Sequence, residues 1–99
     1  MFSSTNAKLQ QLAVKNKVPA WSVMVDLRRG TWENEHREVL VLLGEKGRIL
    51  SSIEISSYDV WGRIEVALKE YAATEECRSA WARYEAEGCP VVGTLGLPL

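Results

Sequence analysis

The chain of 99 residues has few of the residue types that most often mark a chemical function. It contains two cysteines, Cys77 and Cys89, and one histidine, His36. Two thiols do not make the disulfide framework of a small secreted domain, so we expect both to be reduced. A single histidine with no second ligand at a suitable spacing does not predict a metal site. We therefore expect neither a metal nor a cofactor.

The chain also lacks a large excess of charge of one sign and has no long apolar run. Twelve basic and thirteen acidic residues give a net charge of −1, which provides no overall field toward nucleic acid or an anionic membrane. No segment approaches the roughly eighteen consecutive apolar residues of a membrane span, and residues 1–6 lack the pattern of a signal peptide. The sequence predicts a cytoplasmic protein that does not bind membranes.

Motifs for catalysis are missing as well. The chain has no phosphate-binding glycine loop and no nucleophile motif, and Cys77 falls on the apolar stripe of a predicted helix, where a buried inert thiol is expected. Adjacent carboxylates such as Glu75 and Glu76 lie at a predicted helix end, with no sign of the burial that acid–base catalysis requires. We expect a protein that is not an enzyme.

What the sequence does contain is the pattern of an antiparallel sheet. Residues 21–27 alternate apolar and polar side chains, and residues 38–43 and 49–55 form two further strand-like runs. Residues 44–48 join the last two runs in a tight turn. The three runs predict a three-stranded meander.

Helical periodicity flanks these strands. Leu9, Leu12 and Ala13 mark a short helix that ends near Asn16, and the apolar spacing over residues 59–73 gives the strongest helix prediction. Residues 74–87 either continue that helix or form a second one; we favour a break at Thr74, which can cap a new helix. The predicted fold class is α+β: a helix, a three-stranded antiparallel meander, then one or two helices packed on one sheet face. We place this single domain at residues 1–88, followed by an extended apolar tail over residues 89–99.

The order helix, three strands, helix over about residues 4–73 resembles the double-stranded RNA-binding domain. The resemblance implies binding through the loop before the second strand, residues 30–36 here, and through a lysine-rich start of the second helix. At these places the chain carries Glu33, Glu35 and Asp59, and the helix start contains one basic residue, Arg63. Nucleic-acid binding is therefore the less favoured of two functional hypotheses.

Alternation along the strands predicts which side chains share a face. We assign one face to the core beneath the helices; its members are Val23, Val25, Leu27, Val39, Val41, Leu43, Ile49, Ile53 and Ile55. The opposite face then carries Met24, Leu40, Leu42 and Leu50, which is too apolar to be left in solvent, so the tail, a helix or a partner should cover it. Arg28, Arg29, Trp32 and Arg37 form a second candidate surface at the tip of the first hairpin.

The favoured hypothesis is a small protein-binding module, such as an adaptor, inhibitor or accessory protein of bacterial or mobile-element origin. It would dock through a sheet face, a strand edge or the hairpin tip. A domain of this size buries only about 60–65% of its unfolded surface, so we also expect self-association, most simply as a homodimer.

Overall fold

The computed structural model describes residues 4–29 and 36–89; of Arg29 only the backbone is described. It contains α1 (Ser4–Lys15), β1 (Val23–Arg29), β2 (His36–Leu43), β3 (Ile49–Glu54), α2 (Val60–Ala72) and α3 (Glu75–Ala86). The predicted α+β class, the three-stranded meander and the helix over residues 59–73 are confirmed. The predicted tail, apart from Cys89, lies outside the described residues.

The sheet is antiparallel, with β2 between β1 and β3. β1 begins two residues later than the sequence predicts because a short 3-10 turn, Ala20–Ser22, follows Pro19. The Ser22 N–H donates a hydrogen bond to the Pro19 carbonyl at 3.0 Å and closes that turn. Between β2 and β3, Lys46 and Gly47 both adopt a positive φ, which reverses the chain within three residues.

The break between α2 and α3 falls where the sequence predicts it. The Thr74 backbone is extended, and its hydroxyl accepts a hydrogen bond from the Cys77 N–H at 3.1 Å. The same hydroxyl donates to the Tyr71 carbonyl at 2.6 Å. Thr74 therefore caps the start of α3 and also binds the last turn of α2.

The core lies between the helices and one face of the sheet. Its buried cluster combines side chains of α1, α2, α3 and all three strands: Leu9, Ala13, Val18, Val23, Leu40, Leu42, Ile53, Val60, Ile64, Leu68, Tyr71 and Cys77. Two polar contacts tie the helices together beside this cluster. The Asn16 amide donates to Glu65 Oε2 at 3.1 Å, and the Cys77 thiol donates to the Lys17 carbonyl at 3.6 Å.

The predicted assignment of strand faces is wrong for β2. Val25 pairs with Leu40 and Leu40 pairs with Ile53, so these cross-strand partners share the face beneath the helices. Leu40 and Leu42 are core residues, whereas Val39, Val41 and Leu43 lie on the other side. Both faces of β2 are apolar, so alternation cannot specify its register, and a slip by one residue exchanges the faces.

The same correction applies to the start of β3. Ile49 pairs with Leu43 instead of joining the core face, and Leu50 turns toward the helices. We call the side of the sheet away from the helices the open face.

The helices in the described part of the chain are all too short or too polar to span a membrane.

Candidate functional site

A cleft of about 370 Å³ opens between β3, α2 and the α2–α3 junction. We call it the β3 cleft. Its lining comprises Leu42, Arg48, Leu50, Ser51, Ala67, Glu70, Tyr71, Thr74 and Glu76. The floor is apolar and the rim carries charges of both signs, a combination typical of binding sites for peptide segments or small molecules.

A bulge in β3 shapes this cleft. Leu42 pairs with Ser51, but its neighbour Leu43 pairs with Ile49, so Leu50 is an extra residue on β3. The bulge allows two consecutive side chains, Leu50 and Ser51, to line the same cleft. Leu50 is 39% exposed there, and Ile49 beside it is 57% exposed.

The carboxylate of Glu76 closes one end of the cleft and joins it to the β2–β3 turn. Its Oε2 accepts hydrogen bonds from the Glu45 N–H at 2.9 Å and from the Tyr71 hydroxyl at 3.2 Å. Its Oε1 accepts from Arg48 Nη2 at 3.2 Å. We call Glu76 with these three donors the Glu76 clamp; it links α2, α3 and the turn through one side chain.

Gly44 allows the clamp to form because it has no side chain. A Cβ atom at this position would lie 2.7 Å from Glu76 Oε2 and 3.1 Å from Arg48 Nη2. The first distance is too short for a real contact, so any larger residue would displace the carboxylate from its donors. The glycine is needed here for close approach, since its φ of −94° is open to any residue.

The electrostatics of the clamp favour binding over proton transfer. Burial, together with the hydrogen bond and the negative charge of Glu76, raises the pKa of Tyr71 to about 12. The Glu45 N–H, and then Arg48 and Tyr71, hold the pKa of Glu76 below its usual value. Near neutral pH Tyr71 is therefore a hydrogen-bond donor and Glu76 a charged acceptor.

Cys77, the neighbour of Glu76, is not activated either. Burial raises the pKa of its thiol to about 11, and the charge of Glu76 acts in the same direction. A thiol with so high a pKa is a poor nucleophile at neutral pH. Within residues 4–29 and 36–89 no group of three or more His, Cys, Asp or Glu side chains could hold a metal ion.

The hairpin-tip candidates are only partly described. Arg28 pairs with Asp26 at 3.5 Å, and Arg37 pairs with Glu54 at 3.1 Å. Arg28 and Arg37 are cross-strand partners, so the structure does bring them together. Trp32 lies outside the described residues, and the side chain of Arg29 is not described.

The four sheet-face candidates separate into three environments. Met24 is 41% exposed on the open face. Leu40 is fully buried in the core, where a partner cannot reach it, and Leu42 is 1% exposed at the floor of the β3 cleft. Of this set, only Leu42 and Leu50 come together at one site.

Sequence reasoning missed most of the cleft. Arg48, Ala67 and Glu76 come from three segments that only the tertiary fold brings together, and no local pattern marks the bulge at Leu50. One sequence signal was present, namely the turn at residues 44–48, in which Gly44 and Gly47 bracket two polar residues and the basic Arg48 follows. Comparison of the chain with known protein families, with curated proteins and with solved structures found no match. Function must therefore be inferred from the geometry of the site.

Proposed function

We propose that this chain is a small non-enzymatic protein-binding module that binds an extended segment of a partner protein at the β3 cleft. The observation that supports this proposal is the position of the cleft beside β3, which is an edge strand of the sheet formed by the described residues and has exposed apolar side chains at Ile49 and Leu50. An edge strand presents backbone N–H and C=O groups with no partner strand on one side. An extended segment can pair with those groups as a fourth strand.

The cleft determines which side chains such a segment would carry. Alternate residues of an added strand point to one side of the sheet, so they would enter the space between β3 and α2. Leu42, Leu50 and Ala67 form an apolar lining there. An aliphatic or aromatic side chain in this space would remove apolar surface from water on both partners, at about 25 cal/mol per Å².

The charge at the rim of the cleft indicates that the partner segment carries a carboxylate next to its aliphatic or aromatic side chain. Arg48 contacts the clamp through Nη2, while its side chain remains more than half exposed. Glu76 already accepts from two further donors, Glu45 N–H and Tyr71, so the clamp does not depend on Arg48 alone. The guanidinium can therefore also bind an acidic side chain or a chain terminus of the partner.

Nucleic acid is the competing ligand class, and the described basic residues argue against it. Phosphate recognition needs several cations on one surface. Four of the described cations are instead engaged individually: Arg28 with Asp26, Arg37 with Glu54, Arg78 with Glu75, and Lys8 over the Trp61 ring at 4.3 Å. The rim of the cleft carries the acidic Glu70 as well as Arg48, which leaves no cationic stripe there.

The test begins with selection of binding peptides from a random displayed library, using the full chain as bait. The affinities of the selected peptides are then measured for the unmodified chain, for Leu50→Asp and for Val66→Asp. Val66 is 57% exposed on α2 and does not line the cleft, so the control places the same charge on a comparable apolar position. We expect Leu50→Asp to weaken binding about tenfold or more and Val66→Asp to have little effect.

Three results would contradict the proposal. The first is peptide binding that both variants weaken equally. The second is binding of a duplex RNA or single-stranded DNA probe that is tighter than peptide binding and falls steeply with salt, which would favour the nucleic-acid hypothesis. The third is a homodimer, detected by light scattering, that Leu50→Asp alone dissociates; the occupant of the cleft would then be a second copy of the chain.

A further inference from the structure

The backbone hydrogen bonds of β3 alternate in direction along the strand. The Ile55 N–H donates to the carbonyl of Glu38 on β2 at 2.9 Å. Bonded and non-bonded residues alternate in an antiparallel ladder, and the register of β3 is regular back to Ser51. Ile53 therefore also bonds to β2, whereas Ser52 and Glu54 direct their N–H and C=O groups away from it.

Of these two outward-facing residues, Ser52 is the one with both backbone groups free. The Glu54 carbonyl already accepts a hydrogen bond from the Ser57 N–H at 2.9 Å. Within the described part of the chain, no strand lies beyond β3. An added antiparallel strand can therefore exchange two hydrogen bonds with Ser52 and receive a third from the Glu54 N–H.

We infer that β3 pairs antiparallel with the free C-terminal end of a partner protein and that Arg48 binds the terminal carboxylate. This binding mode rests on the proposed function of the β3 cleft and adds the direction of the bound segment and the nature of its end. The partner residue that follows the one opposite Ser52 lies opposite Ser51. Its side chain points to the helix side of the sheet, as that of Ser51 does, and so enters the cleft.

The charge of Arg48 favours this direction. Arg48 immediately precedes β3, and its side chain is more than half exposed. An antiparallel segment brings its C-terminal end to the start of β3, where the guanidinium can bind a carboxylate through charge-assisted hydrogen bonds. A parallel segment would bring its N-terminal ammonium group to the same arginine, and like charges repel. Parallel pairing is also slightly less stable per residue.

The Glu76 clamp favours a chain end over a chain that continues. The clamp closes the cleft by joining α3 to the β2–β3 turn, through Glu45 and Arg48. A continuing segment would have to cross these contacts. A segment that ends about two residues after the side chain in the cleft stops beside Arg48, which precedes Ser51 by three residues. The rim also carries Glu70, whose charge opposes the carboxylate, so its removal is an independent check.

The first test compares two forms of one peptide. The tightest-binding peptide from a displayed library with a free C-terminus is synthesised as the free acid and as the C-terminal amide. We expect the full chain to bind the amide about tenfold or more weakly than the acid. Arg48→Gln should reduce this difference, and Glu70→Gln should strengthen binding of the acid. The matched control Lys46→Gln removes a charge from the same turn outside the clamp and should reduce the difference less.

A second test addresses the backbone pairing. Ser52→Pro removes the outward N–H without removing a bond to β2, a position at which edge strands accept proline. Ser52→Ala keeps that N–H and is the control. We expect only Ser52→Pro to weaken binding of the free acid, by about tenfold or more. Methylation of single peptide nitrogens should weaken binding at alternate residues, and it gives the same test with the unmodified chain should Ser52→Pro fail to fold.

Equal affinities for the acid and the amide would overturn the inference. Loss of binding on acetylation of the peptide N-terminus would also overturn it, because the segment would then be parallel. Equal binding by Ser52→Pro and Ser52→Ala would show that the segment does not pair with β3. If Leu50→Asp still weakens binding in these cases, the proposed function stands and only the binding mode is wrong. If Leu50→Asp and Val66→Asp weaken binding equally, both are wrong.

Discussion

The Tyr71 hydroxyl donates a hydrogen bond to Glu76 Oε2 at 3.2 Å, across the break that separates α2 from α3. The same oxygen accepts from the backbone of Glu45 in the β2–β3 turn. One carboxylate therefore fixes the angle between two helices and the position of the turn beside the β3 cleft. Loss of the clamp should affect both the stability of the fold and the shape of the candidate site.

We expect Glu76→Gln to lower the melting temperature near neutral pH, because the amide loses its charge toward Arg48 and Glu45 N–H. The folded state holds the pKa of Glu76 below its usual 4.5. Its contribution to stability is therefore present above that value and lost as the pH falls through the folded-state pKa. The difference between the unmodified chain and Glu76→Gln should shrink in acid, as measured by thermal unfolding across the acidic range.

Glu70→Gln is the control for this measurement, since Glu70 lines the cleft without belonging to the clamp. Its melting temperature should stay close to that of the unmodified chain. Identical melting curves for Glu76→Gln and the unmodified chain at neutral pH would show that the charge of Glu76 contributes nothing to stability.

Alkaline conditions should weaken the fold through Tyr71. Its pKa is about 12 in the folded state and 10 without the protein environment, so the unfolded chain releases the phenolic proton first. The stability from this group is present below about pH 10 and is lost as the pH rises toward 12, by up to roughly 2–3 kcal/mol. Cys77 acts in the same direction, because its pKa is also raised.

Urea unfolding at about pH 8 and about pH 11 checks this expectation. Tyr71→Phe cannot lose a phenolic proton, so its free energy of unfolding should fall less between the two pH values than that of the unmodified chain. Tyr58, which is almost fully exposed, provides the control Tyr58→Phe. An equal fall for all three proteins would contradict the assignment to Tyr71.

Local patterns were sufficient to predict most of the fold. Periodicity located α2, and Thr74 marked the break before α3, because caps and apolar stripes depend on residues close in sequence. Strand register depends instead on which cross-strand partner each residue meets. In β2, Leu40 and Leu42 lie on one face and Val39 and Val41 on the other, so either face is apolar enough to pack on the core. The contact of Glu76 with Glu45, separated by 31 residues, has no local signature at all.

The corrected register makes a direct prediction about stability. Leu40→Ala should cost about 2–5 kcal/mol of unfolding free energy, because it leaves a cavity in the buried cluster. Met24→Ala should cost under about 1 kcal/mol, because the Met24 side chain remains 41% exposed on the open face. Urea unfolding of both variants measures the two costs. A larger cost for Met24→Ala than for Leu40→Ala would restore the face assignment that alternation alone had suggested.

The two cysteines should react at very different rates in the folded chain. The Cys77 thiol is fully buried, donates to the Lys17 carbonyl and has a pKa of about 11, so both access and thiolate formation are suppressed. Cys89 is partly exposed just beyond the end of α3. A thiol-specific chromogenic reagent at neutral pH should therefore modify one thiol rapidly in the folded protein and both thiols in urea.

The variant Cys89→Ser is the control. Its rapid phase should disappear, and the remaining reaction should become faster as urea opens the contact between α3 and the end of α1. Two rapid phases in the folded chain would mean that α3 is not held against the core.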